Sequence, residues 1–151
     1  IIYRVCLLMD YKELTPIFFV SGQIKAHDIE IVKNLGFTDI ICNRPSHESS
    51  CDEKPDIIGD AAGRSGITFY DNPFPSIQLS VESISRQKTN GAKTLAYCTS
   101  GTRSAILWAF SMASDMETTN ILQCLAKAGF PMPHLADQID SFGKISIMNE
   151  G

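Results

Sequence analysis

One stretch of the sequence combines residue types that chemistry needs: Cys98-Thr99-Ser100-Gly101-Thr102-Arg103-Ser104, directly after the apolar run Thr94 to Tyr97. A cysteine, a loop of small residues and an arginine opening a helix together make a cradle for an oxyanion. The backbone N–H groups of Thr99, Ser100, Gly101, Thr102 and Arg103 can turn inward as a nest. The N-terminus of the following helix adds its partial positive charge. Gly101 permits a backbone conformation that a β-branched residue resists. Arg103 offers a planar, bidentate fork matched to a phosphate-like group. A positive field of this kind favours a thiolate, the form that attacks, so Cys98 is the candidate nucleophile. Ser104 is placed to donate a hydrogen bond to that thiolate or to a thiol leaving group.

Such a loop works only if strands and helices hold it, and the sequence predicts them. Short apolar runs at Ile17–Val20, Asp39–Cys42, Ile67–Tyr70 and Thr94–Tyr97 read as strands, bounded by Ser21-Gly22, Asn43-Arg44-Pro45 and Asp71-Asn72-Pro73. Between and after them, helical patterns run from Lys25 to Leu35, from Pro55 to Arg64, and from an N-cap at Ser80 towards Asn90. Three more span Ser104 to Met112, Thr118 to Ala128 and His134 to Phe142. Strands alternating with helices predict an α/β fold with a mostly parallel central sheet of about four to five strands, flanked by helices. Ligands bind beyond the carboxyl ends of such strands. The residues just after each strand, Cys98 foremost, are therefore the candidate site.

The 151 residues fit a single domain spanning 1–151. Ile1 to Met9, apolar except for Arg4, reads as an extension or an edge strand. That run is far too short to cross a bilayer, which needs about 20 residues. With 13 Lys and Arg against 17 Asp and Glu, the net charge of −4 argues against nucleic acid or an anionic membrane as partner. Five cysteines at irregular spacing, without a C-x-x-C pair, match neither a disulfide scaffold nor a zinc site. They imply a reducing, cytoplasmic setting, with no metal and no cofactor expected.

Ser21-Gly22-Gln23, Ile41-Cys42-Asn43-Arg44-Pro45 and Ala96 through Ser104 with Leu107-Trp108 resemble one bacterial family. It is the phosphatase-like domain of beta-lactamase hydrolase-like proteins, similar in fold to cysteine-dependent dual-specificity and tyrosine phosphatases. The resemblance runs from about Leu14 to Phe142 and takes in Ala128-Gly129. It implies a cysteine-phosphatase-like fold, Cys98 as nucleophile, Arg103 as phosphate clamp, the loop backbone as transition-state cradle, and a small phosphorylated substrate or phosphoprotein as partner. Two departures stand out: Tyr97 replaces the His expected before the cysteine, and four residues rather than five separate Cys98 from Arg103. The shorter gap also resembles rhodanese sulfurtransferases, which carry sulfur on the cysteine. The helices that follow Ser104 favour the phosphatase arrangement. Phosphate ester hydrolysis, sulfur transfer and a non-catalytic anion-binding module therefore remain as readings at this point.

A phosphatase also needs an acid for the leaving oxygen. The resemblance places it after an earlier strand, where Asp71 is the candidate and a turn-capping role is the competing reading. In the family an acidic residue often follows the Asn-Arg-Pro stretch. Here Ser46-His47-Glu48 stands there, so His47 or Glu48 is a candidate to approach the cradle. Arg44 is either a second positive group at the site or the partner of a carboxylate. His27 and His134 read as solvent-facing or capping, Cys42 as a small core residue, and Cys6 and Cys124 as structural. Cys51 is a candidate redox partner for Cys98. Trp108, one helical turn beyond Ser104, is expected to pack beneath the loop or to wall the substrate.

Overall fold

The computed structural model describes residues 9–75 and 79–150, with side chains as far as residue 145. Cys6 and all of the Ile1–Met9 run except Met9 therefore lie outside the described residues, and Met9 itself is buried. Five strands form the sheet: β1 (Tyr11–Thr15), β2 (Phe18–Ser21), β3 (Asp39–Cys42), β4 (Thr68–Asp71) and β5 (Thr94–Tyr97). Their order is β1-β2-β5-β3-β4, antiparallel between β1 and β2 and parallel elsewhere. The expected α/β architecture is present, with four of its strands within a residue of their predicted places. β1 is the addition. Its Tyr-Lys-Glu-Leu-Thr sequence buries only Leu14, as suits an antiparallel edge open to water.

The central strands β2 and β5 are buried at every position, which is why they read as unbroken apolar runs. Alternation divides their side chains between two cores. Val20, Ile41 and Ala96 face the first core, packing with the helices α4 (Thr102–Ser111), α5 (Thr118–Lys127) and α6 (Ala136–Glu150). Phe19, Ile40, Cys42, Leu95 and Tyr97 face the second, with α1 (Ile29–Asn34) and α2 (Pro55–Arg64). α3 (Val81–Arg86) starts as predicted, Ser80 Oγ accepting a hydrogen bond from Ser83 N at 3.1 Å. α4 is buried along most of its length, through Ala105, Leu107, Trp108, Ala109 and Phe110. Trp108 is 1% exposed, lies in the first core and is tilted against Phe18, so it offers no wall to a substrate. His27 and His134 lie in the 3-10 turns Ala26–Asp28 and Pro133–Leu135 rather than in α-helices. No helix among the described residues is long and apolar enough to cross a membrane.

Register fixes what stands at the carboxyl end of the sheet. Ser21, Tyr97, Cys42 and Asp71 occupy one row across β2, β5, β3 and β4. The ladder continues by one residue: Cys98 N donates to Ser21 O at 3.3 Å, Asn43 N to Tyr97 O at 2.8 Å and Asn72 N to Cys42 O at 2.8 Å. Cys98, Asn43 and Asn72 thus form the next row. Side chains alternate, so this row points away from the side taken by Tyr97, Cys42 and Asp71.

Candidate active site

Cys98 leaves β5 into the loop and is 1% exposed. The amide of Gly101 donates to its sulfur at 3.1 Å, so the chain after Cys98 curls back over its own side chain. That turn requires Gly101 at φ 92°, in the left-handed region. A Cβ there would also meet Phe130 Cζ at 3.3 Å and the Ser21 carbonyl carbon at 3.4 Å. Gly22 answers a different constraint, because its Cβ would stand 2.9 Å from Thr99 O. The end of β2 can therefore lie against the loop, and Gln23 N donates to Thr99 O at 3.4 Å. α4 begins at Thr102, two residues earlier than expected. Its opening amides, Thr102 and Arg103, have no intrahelical acceptor and sit at the positive helix end. Ser100 and Thr102 hydroxyls pair at 3.1 Å across the rim. A cavity of about 520 Å³ flanks the loop, lined in part by Gly22, Gln23, Thr99, Ser100 and Phe130.

Arg103 is held from three sides. Nη1 donates to Glu48 Oε2 at 3.0 Å and to Phe74 O at 3.0 Å. Nη2 donates to Glu48 Oε1 at 2.8 Å and to Thr99 Oγ1 at 3.1 Å. Glu48 therefore covers the outer edge of the guanidinium as a bidentate pair. The Nε edge remains for an incoming anion, which would replace only the Thr99 hydroxyl. These hydrogen bonds hold the Glu48 carboxyl below the usual glutamate range and raise Arg103 further, so both stay charged. Of the two candidates in the Ser46–Glu48 turn, Glu48 is the one joined to the cradle by hydrogen bonds.

Arg44 reaches the site indirectly. It donates to Glu48 O at 2.6 Å, Gln23 Oε1 at 3.0 Å and Glu53 Oε1 at 3.3 Å. Its charge is thus taken by a carboxylate, and it braces the turn that presents Glu48. Asp71 is not brought to the cradle. It is the last residue of β4 rather than a turn residue, and alternation puts its side chain on the α2 side, opposite the row that holds Cys98. There it lines cavities with Pro55, Asp56 and Asp60 and with Arg86 and Lys88, neither of which includes the loop. Partial burial raises its carboxyl above the ordinary aspartate value. Ser104 also departs from expectation: its hydroxyl is buried with no hydrogen-bond partner among the described residues, while Cys98 sulfur receives the Gly101 amide instead. Cys51 lies exposed in the turn Cys51–Glu53, and the described cysteines are all free thiols. Cys42 is a core residue as expected, its thiol pushed up by burial. Tyr97, at the place of the expected His, is fully buried, and its phenol is driven strongly upward by desolvation.

One component escaped the sequence reading altogether. Gln87, directly after α3, is 0% exposed and binds both Asn43 and Asn72. The two asparagines stand just after strand ends, a position that marked them for scrutiny. Nothing in the local pattern of α3 marks Gln87 as their partner.

Residues 10–115 match the family model described as "Beta-lactamase hydrolase-like protein, phosphatase-like domain". None of the curated protein sequences matches significantly. Among solved structures, the chain is similar to a "putative phosphatase" from Neisseria meningitidis at TM-score 0.72 and 26% identity, covering 87% of this chain and 96% of that one. It shares its fold with the core catalytic domain of the PP-IP phosphatase SIW14 from S. cerevisiae at TM-score 0.60 and 15% identity, covering 93% and 92%. With PTPMT1 the TM-score is 0.73 at 10% identity, covering 93% and 98%. The family model and the fold stand with phosphatase-like proteins rather than with the sulfurtransferase arrangement that the loop length resembles. The chain belongs to the family of phosphatase-like domains of beta-lactamase hydrolase-like proteins.

Proposed function

We propose that the chain, as a single domain, hydrolyses a phosphate monoester through a phosphocysteine intermediate on Cys98. The Sγ thiolate attacks phosphorus, the P–O ester bond breaks, and the leaving oxygen takes its proton from water. Water then attacks the S-phosphoryl group, releasing inorganic phosphate and restoring the thiolate. The Nε edge of Arg103 and the amides of Thr99, Ser100, Gly101, Thr102 and Arg103 hold the equatorial oxygens as charge redistributes. The observation that carries this reading is the union, in one loop, of a buried cysteine under a backbone amide and an arginine whose outer edge is locked by Glu48. Arg44 supports that lock and does not touch the phosphoryl group. The substrate class is a small phosphorylated molecule or phosphoprotein, in a bacterial, cytoplasmic setting.

Purified protein and a Cys98→Ser control, given an aryl phosphate and separately thiosulfate with cyanide, test the assignment. Phosphate release that disappears in the control is the expected result. Thiocyanate formation would overturn it in favour of sulfur transfer. Silence in both assays with retained phosphate binding would reduce the site to an anion-binding module.

A further inference from the structure

The groups that hold Arg103 come from distant parts of the chain. Glu48 follows β3, Phe74 follows β4, and Arg103 itself opens α4. Their agreement in space needs something that ties the three segments together. Gln87 touches all three. Its Oε1 accepts from Asn43 Nδ2 and from Asn72 Nδ2, each at 2.9 Å. Its Nε2 donates to Asn43 Oδ1 at 2.8 Å and to Ser104 O at 3.4 Å. The two asparagines add their own links: Asn43 Nδ2 to Asn72 O at 2.8 Å, and Asn72 Nδ2 to Ser83 O at 2.9 Å. The Asn43 carbonyl then receives Phe74 N at 2.9 Å, which sets the residue whose carbonyl accepts from Arg103.

We propose that Gln87 is a positioning residue for the Arg103 clamp, acting through Asn43, Asn72 and the Ser104 carbonyl to set where the guanidinium meets the phosphoryl group. It touches neither Arg103 nor Cys98. All four of its amide valences are used at zero exposure, so the network is satisfied and has a single arrangement. An apolar residue of the same size strands the two asparagine side chains and frees the strand ends they fix. This inference rests on the phosphate-binding reading of the loop, and a displacement of the clamp of even about 1 Å costs up to about a hundredfold in rate.

The test uses Gln87→Leu, with Gln87→Glu as a second variant that keeps the acceptor and loses both donors. Ile121→Val serves as a core control that lowers stability away from the site. Binding of inorganic phosphate is measured by titration calorimetry below the melting temperature of every variant, alongside kcat and KM for an aryl phosphate. The Gln87 variants are expected to bind phosphate at least about tenfold more weakly, with Ile121→Val binding as wild type. Combined with Glu48→Gln, the Gln87 change is expected to add less than its separate effect, because both act on one clamp. Wild-type phosphate affinity in a folded Gln87 variant, or fully multiplicative effects in the double variant, would overturn the proposal. Phosphate binding does not need turnover, so a wild type that binds phosphate but hydrolyses nothing sinks the catalytic reading and leaves this one to be judged by affinity. A wild type that binds no phosphate removes both.

Discussion

Glu48→Gln separates the charge of the Arg103 partner from its shape. The amide retains one acceptor for Nη2 at the 2.8 Å position but turns an NH2 group towards Nη1, which now donates at 3.0 Å. Two unit charges at about 4 Å attract by about 4 kcal/mol at an effective dielectric of about 20. The carboxylate side chain is 31% exposed, so solvent screening brings the loss towards the range of about 1–2 kcal/mol. In a domain of this size that corresponds to a fall in Tm of roughly 3–8 °C. The functional effect is larger in kind, because the freed guanidinium no longer presents its Nε edge in one orientation. A fall in kcat/KM of about 10–100-fold is expected, equivalent to about 1.4–2.8 kcal/mol of transition-state stabilisation. The pH dependence carries a sign. Arg103 lowers the Glu48 carboxyl in the folded state, so its contribution is complete above the ordinary glutamate value of 4.5 and disappears as pH falls through the lower folded value. Thermal melts of the two proteins should therefore differ most near neutrality and converge in acid. An equal or faster Glu48→Gln enzyme would refute the reasoning, since Glu48 would then be competing for Arg103 instead of aligning it.

Gly101→Ala forces a side chain into φ 92° against Phe130, at a backbone cost of about 1–2 kcal/mol. Weaker phosphate binding by calorimetry is expected, with a smaller loss of stability by thermal melting. Asp71→Asn is expected to change kcat/KM by less than about twofold, because its side chain lies across the sheet from Cys98; a larger loss in steady-state assays would restore it as the acid. No Asp or Glu occurs from Asn72 to Ser80, and Glu48 is kept ionised by Arg103. Leaving groups must accordingly depart with little protein protonation. A series of aryl and alkyl phosphates should show rates falling steeply as the alcohol becomes more basic, and a flat series would reveal an acid at the site.

What the sequence made legible was local. Cys98, Gly101 and Arg103 lie within one turn of chain, so their joint meaning survives without a fold. The strands at Asp39–Cys42 and Thr94–Tyr97 were equally plain, being short apolar runs closed by turn residues. Partners drawn from afar were less so. Glu48 was one of two acidic or basic candidates in its turn, and only the structure chose it. The Phe74 carbonyl has no signature at all, since any residue supplies one. Asp71 shows how sensitive such inference is to register: β4 ends one residue later than the Ile67–Tyr70 run suggests, which makes Asp71 the last strand residue and not the first loop residue. Gln87 was invisible for a related reason. A glutamine near a helix end reads as solvated, and only long-range packing turns it inward.

The burial of α4 has a kinetic meaning. Its residues from Ala105 to Phe110 are packed between the sheet and the neighbouring helices, so the interior amides of α4, from Ala105 onward, belong to the part of the molecule expected to exchange hydrogen only on global unfolding. The Ser46–Glu53 segment is different, made of two short 3-10 turns with exposed residues. Slow exchange along α4, which carries the cradle, beside fast exchange at the Glu48 turn would mean that the anion site outlasts its own alignment. On warming, Arg103 would lose its partner well before Cys98 lost its loop, and catalytic efficiency would decline while the fold was still whole.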